Sequence, residues 1–415
     1  MTSAVLSSAS QTPAARRPRR LAICHLGARE HYAWPLMAQA NGQLVRFITD
    51  VWLPLSPLLR SLAAQKGSSA VARLAGRFRP EIPSHKVVAL YALALQSALR
   101  RRLVRNREEL YRHYVSEGAA FAQGCIPYLD ADHDAYFGFC SAALEALRFE
   151  RRARRTAVVG QFDPARVEHD IVREEEARHP GLAIPEAPIP DVFFRRLEAE
   201  WDEADRIFVN STWSRKALVA QGVPDGKLRV VPLAFTLTPA LAPRPRPGGR
   251  LRVLWLGALC LRKGLPYAIE AARLLERAPV EFSYYGPLAV NRARLSLPPN
   301  ATYHGPLARS LAPSVYRAHD ILLLPTLSDG FAITQIEAMS YGLPVIATPC
   351  CGEVVHDGVN GWIVPPRDAA AVAAAISEIL DNPERYESMS AAALTRSRDF
   401  VPERVWPLYQ RAIEN

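Results

Sequence analysis

At 415 residues the chain is longer than one hydrophobic core usually supports, and 49% hydrophobic with 22% charged residues is the composition of an ordinary globular protein, so two domains are expected. The net charge of +10 arises mainly in residues 1–240, where Lys and Arg exceed Asp and Glu by 8, against 2 in residues 241–415; arginines alternating with glutamates, without interleaved exposed aromatics, exclude a nucleic-acid partner. Six cysteines show no metal or disulfide spacing, the N-terminus has no signal-type apolar core, and no run approaches the ~20 apolar residues of a membrane span. The expected compartment is therefore the reducing cytoplasm.

Residues 1–18, small and polar and then basic, read as a disordered tail. Residues 20–26 form an apolar run ending at Gly27, residues 31–40 carry a helical pattern, and residues 44–48 read as the next strand. That order predicts a parallel sheet with crossover helices. Gly27 is either a tight turn or a point where backbone approaches a ligand. Residues 86–112 read as one helix whose apolar face (Val87, Leu90, Tyr91, Ala94, Leu95) gives way to Arg100, Arg101, Arg102, Arg105 and Arg107. It is either a solvated face or a surface for anionic headgroups or a phosphate-bearing acceptor.

Residues 134–140 read as a strand, 141–155 as a helix capped by Ser141, and 156–162 as another strand. His169 with Glu168, Asp170, Glu174, Glu175 and Glu176 reads as a polar helix face rather than a metal cluster. A strand at 206–210, a helix capped by Ser211 and a strand at 228–232 close the first half. Residues 242–249, rich in Pro and Gly, are the expected linker. The alternation then restarts with strands at 251–256 and 280–285, a loop at His304 and Gly305, and a strand at 321–325. The fold class predicted is α/β, two Rossmann-like domains facing a cleft, with ligand at the carboxyl ends of the strands.

Chemistry concentrates in residues 321–348: strand, Gly-bearing loop with Asp329, helix with Glu337, and a second strand after Gly342, Leu343 and Pro344. With a helix starting near Ala332, both acids line the space above its N-terminus, where unpaired N–H groups and the positive dipole end also point. Such a site suits a polyhydroxylated ligand joined to a phosphate. After the strand ending at Leu256 come Gly257, Arg262 and Lys263, two cations placed to neutralise a departing diphosphate.

Residues 328–347 resemble the nucleotide-sugar signature of the retaining glycosyltransferases of family 4: an acid, Gly330 and Phe331, a small residue, a second acid within Glu337, Ala338 and Met339, then Gly342, Pro344, Val345, Ile346 and Ala347. Residues 257–264, 354–361 with 363–365 and Asp368, and 210–215 with 230–232 also fit. The resemblance implies a GT-B fold with a first domain over residues 19–240, a second over 241–398 and a C-terminal helix over 399–415. That helix would return to the first domain through Trp406 and Tyr409. It further implies transfer, with retention, of a hexose from a UDP- or GDP-linked sugar to a hydroxyl of a glycan, glycolipid or small molecule. No cofactor is implied, nor a metal, since Arg262 and Lys263 would take its place. Glu337 would accept from the ribose hydroxyls and Asp329 would face the sugar. The amides of Gly330, Phe331, Ala332, Ile333 and Thr334 would meet sugar and phosphate oxygens. Gly27 would approach the diphosphate, and His304 and Leu307 would lie near the base.

Two departures stand out. The first acid is Asp329 where the family usually has Glu, and Phe137, Gly138, Phe139, Cys140 and Ser141 stand where many relatives carry a His, so no catalytic base is assigned. Asp163 is a candidate acceptor contact. Alternatives are a sugar-nucleotide epimerase, a phosphorylase, or a catalytically silent module on an anionic surface. Peripheral contact with an anionic membrane is the remaining expectation for partners, alongside the nucleotide sugar and an unidentified acceptor.

Overall fold

The computed structural model describes residues 17–54, 76–129, 132–236, 242 and 248–414; the expected tail up to residue 16 and the centre of the expected linker lie outside the described residues. The first sheet is built from β1 (Leu21–His25), β2 (Leu44–Thr49), β3 (Val87–Ala89), β4 (Ala135–Phe139), β5 (Thr156–Gly160), β6 (Arg206–Val209) and β7 (Leu228–Val230). The second contains β8 (Leu251–Leu256), β9 (Val280–Tyr285), β10 (Ala301–Gly305), β11 (Ile321–Leu324), β12 (Val345–Ala347) and β13 (Gly361–Ile363). Their orders are β3-β2-β1-β4-β5-β6-β7 and β10-β9-β8-β11-β12-β13, and every pairing is parallel. Helices cover both faces, which is why β1, β4 and β11 are buried along their whole length and are apolar apart from His25 at the end of β1. Strand order reverses at β1/β4 and at β8/β11, and these reversals open crevices at the carboxyl ends.

The helix Pro402–Glu414 packs against the first sheet, with Val405, Trp406, Tyr409, Ala412 and Ile413 buried in the same cluster as Trp34 and Phe137. The Trp34 and Tyr409 rings meet edge-on at 3.8 Å, the Trp406 indole donates to Gln43 Oε1 at 2.9 Å, and the Tyr409 hydroxyl donates to the Pro232 carbonyl at 2.7 Å.

Four sequence expectations are corrected. Residues 86–112 are not one helix: Val87–Ala89 pairs with Phe47, Ile48 and Thr49 as the edge strand β3. Two helices follow, Tyr91–Arg101 and Arg107–Cys125, the second started by Asn106, whose side chain accepts from the Glu109 N–H at 2.8 Å. Ser141 is not a cap. It sits at φ 70°, and the helix Leu144–Arg152 is capped from a distance by Glu200, whose carboxylate accepts from the N–H groups of Ser141, Ala143 and Leu144 at 2.7, 2.9 and 3.2 Å. The first crossover helix begins at Ala33 rather than His31, because Glu30, His31 and Tyr32 all take positive φ. His304 and Gly305 belong to the edge strand β10 rather than to a loop, one face half-buried and the other exposed.

Candidate active site

Backbone of unusual conformation gathers where strands end at the cleft. Gly27 follows β1 at φ 83°, Ser141 follows β4, Ala165 follows β5 at 53°, Gly257 follows β8 at 147°, Gly286 follows β9 at 145°, and Ala332 lies beyond β11 at 60°. Non-glycine residues held there store strain of the kind that functional sites retain. Gly286 has no alternative: a Cβ would lie 1.9 Å from the Gly257 carbonyl oxygen.

The turn Leu261–Lys263 delivers the two cations and the β11 loop delivers the acid. Lys263 Nζ donates to Asp329 Oδ2 at 2.6 Å, while Arg262 Nη1 lies 3.7 Å from the same oxygen and donates to the Ser328 carbonyl at 2.6 Å. Burial alone would raise the Asp329 carboxyl; Lys263 first and Arg262 second outweigh it and hold it below the ordinary carboxylate range. The amide of Ala332 also points at this carboxylate, so it is already engaged. Glu337 lies in the first turn of the helix Thr334–Ser340, where it accepts from the Tyr316 hydroxyl at 2.7 Å through Oε2. Thr334 Oγ1, at the head of that helix, is buried with no hydrogen-bond partner.

Other predicted residues fall into place around this centre. Phe331 is buried edge-on to Phe400 at 5.8 Å, Ile333 accepts from the Glu337 N–H at 3.1 Å, and Leu307 packs on the same cluster. His304 is exposed at the sheet edge and stacks on Tyr285, rings 4.4 Å apart and 8° from parallel, which makes a flat shelf of the kind a planar base stacks on. Gly27 is on the opposite side, and its N–H donates to Asp50 Oδ1 at 3.0 Å rather than standing open. Asp50 is in turn paired with Arg77 at 2.9 Å.

The two halves meet directly over this centre. A Cβ on Gly330 would lie 1.8 Å from the Phe162 carbonyl oxygen, and the Trp213 indole donates to Ser328 Oγ at 3.3 Å. Glu168, from the helix Arg166–Arg178, reaches across to accept from Ser328 Oγ at 2.9 Å and to pair with Arg262 at 3.3 Å. Its neighbours Glu174 and Glu175 bind Arg367 at 2.6 and 2.7 Å. The polar helix face expected from the sequence thus also clamps the two halves together. Its acids are taken up by Arg262 and Arg367, and among the described residues no three His, Cys, Asp or Glu side chains converge as a metal site.

Burial, opposed by Arg262, pushes the Glu168 carboxyl up to about 7. A carboxyl raised on folding costs stability as pH rises from the ordinary Glu range near 4.3 to about 7, and the cost is complete above that. Glu168→Gln is therefore expected to melt above the native chain at mildly alkaline pH, with the advantage disappearing on acidification through that window. Melting curves of both across it are the check, and a difference independent of pH would refute the assignment.

Beside Arg262 a cavity of about 670 Å³ opens between the halves, walled by Tyr111, Ile184, Phe193 and Phe194, with Arg107, Asp163 and Glu168 at its polar end. Asp163 was singled out in the sequence; the aromatic wall, Glu168 and Tyr316 were not. Glu168 carries no local signal separating it from Glu174 to Glu176, and Tyr316 lies 21 residues from the acid it serves.

Residues 250–382 match the family described as Glycosyl transferases group 1. That stretch lies wholly in the second half of the chain, from β8 to beyond β13. The chain is 28% identical over 268 residues to the D-inositol 3-phosphate glycosyltransferase of Streptomyces griseus subsp. griseus, covering 57% of each chain. Across three curated relatives the matched stretches span 54%, 57% and 66% of the relative's own length. In structure it is similar to Anabaena HepE in complex with UDP (TM-score 0.58, 16% identity, 95% of this chain and 98% of that one). It is also similar to the sucrose-phosphate synthase of Thermosynechococcus elongatus (TM-score 0.61, 17% identity, 95% and 99%). The two parallel-sheet domains therefore share the GT-B fold of those structures, with Asp329 and Glu337 following β11 beside the crevice between β8 and β11.

Proposed function

We propose that the protein is a retaining glycosyltransferase that moves a hexose from a nucleoside diphosphate sugar to an acceptor hydroxyl. The observation that carries this reading is the Lys263–Asp329–Arg262 cluster at the head of the Glu337 helix, facing backbone of the other half. Glu337, oriented by Tyr316, keeps Oε1 to accept from a ribose hydroxyl. The Tyr285–His304 shelf receives the base. Lys263 and Arg262 stabilise the charge that develops on the leaving diphosphate, the function that a divalent ion would otherwise serve. Asp329 faces the transferred sugar. The departing diphosphate takes the acceptor proton, so no side-chain base is required, and the cavity beside Arg262 receives the acceptor through its aromatic wall and Asp163. A phosphorylase is disfavoured, because Lys263 is the sole lysine of residues 241–415 and is bonded to Asp329.

Incubation with labelled UDP-, GDP- and ADP-sugars, with and without EDTA, tests the reading. Absence of both transfer and donor hydrolysis would sink it, and loss of activity on chelation would sink the metal-independent part. The matching nucleotide should raise the melting temperature. Glu337→Ala is expected to abolish that shift while leaving the fold intact; a shift of native size in the variant would remove Glu337 from the nucleotide site.

A further inference from the structure

No residue of the helix Tyr91–Arg101 is buried. Its inner side rests on the helix Arg107–Cys125: Leu93 Cδ1 lies 2.7 Å from where a Cβ would stand on Gly124, and Ser97 Oγ bonds His113 Nε2 at 3.1 Å and also donates to Glu117. Its outer side carries Tyr91, Leu95 and Leu99, continued by Leu103, at four-residue spacing and 50%, 63%, 52% and 75% exposed. Single exposed leucines need no explanation; three large apolar side chains along one helix face, with a fourth just past its end, do. Arg100, Arg101, Arg102 and Arg105 rim the stripe, all exposed, and no acid lies between Glu81 and Glu108. Among the described residues Arg100, Arg102 and Arg105 have no carboxylate partner.

We infer that this helix is a docking surface for an anionic lipid bilayer, lying in the plane of the interface with Leu95 and Leu99 immersed and the arginines at headgroup level. Charge selects the occupant. A second copy docked through the same stripe would offer these arginines no acid from that segment, since none lies between Glu81 and Glu108, whereas anionic headgroups complement all four. The helix is far too short to span a bilayer, and among the described residues none is long and apolar enough to do so, so the contact is peripheral. The inference is independent of the transfer reaction, since it uses none of the cleft residues.

Sedimentation of the full chain with phosphatidylcholine vesicles, with and without phosphatidylglycerol, decides it. Binding is expected only to the anionic vesicles and should fall steeply with salt. Arg100→Gln with Arg102→Gln should weaken partitioning by roughly thirtyfold, and Leu95→Glu with Leu99→Glu should abolish it, with unchanged melting temperature in both because the altered side chains are exposed. The inference is overturned by absence of binding, by equal binding to neutral vesicles, or by binding that survives Leu95→Glu with Leu99→Glu. A concentration-dependent dimer that those two changes dissolve, without vesicle binding, would reassign the stripe to self-association.

Discussion

Lys263→Met is expected to lower stability by about 3 kcal/mol at neutral pH and transfer by about 10²- to 10³-fold. The Asp329 carboxylate lies in a largely dry site, and its short bond is to Lys263 at 2.6 Å, with Arg262 at 3.7 Å. Removing the ammonium leaves burial to dominate, so the carboxyl rises from its depressed position. A depressed acid contributes stability that is present above its unfolded value and lost as pH falls through its folded value; in the variant that contribution is gone. The gap between native and variant should therefore narrow on acidification. Lys263→Met combined with Asp329→Asn should recover most of the stability and none of the turnover. Denaturant melts at neutral and acidic pH read the first effect, and an equally unstable double variant would show that the stranded charge is not its cause.

Gly330→Ala separates nucleotide binding from turnover. Its φ is outside the left-handed region, so nothing in the β11 loop itself forbids a side chain. The obstruction is in the other half: the added Cβ would lie 1.8 Å from the Phe162 carbonyl oxygen and 3.0 Å from Asn210 Nδ2. It can be relieved only by moving the halves apart at the centre of the cleft. The nucleotide-induced thermal shift should survive, because the second half folds unaltered, while transfer falls about 10²-fold through misplacement of the reacting groups. Native turnover in this variant would mean that the contact between Gly330 and Phe162 is dispensable.

The parallel α/β order was legible in the sequence, with β11 and β12 apolar throughout because central parallel strands are buried on both faces, and β8 and β9 still apolar enough to show although Arg252 and Glu281 interrupt them. The cation-acid cluster was legible for a different reason. Arg262, Lys263 and Asp329 lie in the turns that follow strands and Glu337 in the first turn of the next helix, so local chain order alone brings them to the strand ends. Errors fell where local preference was overridden. Val87–Ala89 is short enough to merge with the helical pattern behind it, and only pairing with β2 makes it a strand. Ser141 looked like a cap, but Glu200, 59 residues away, supplies the acceptors.

By itself, then, the sequence determined two α/β halves and a cation-acid site in the second, since short-range spacing carries both. Tertiary structure alone decided what crosses the cleft: Glu168 on Arg262 and Ser328, Phe162 over Gly330, and an aromatic cavity wall drawn from distant helices. It also decided that Leu95 and Leu99 face water, because a helical stripe is apolar in the sequence whether or not another element covers it. Contacts between residues so far apart in the chain leave no periodic trace in it. They exist only once each half has buried its own core and the remaining surfaces meet.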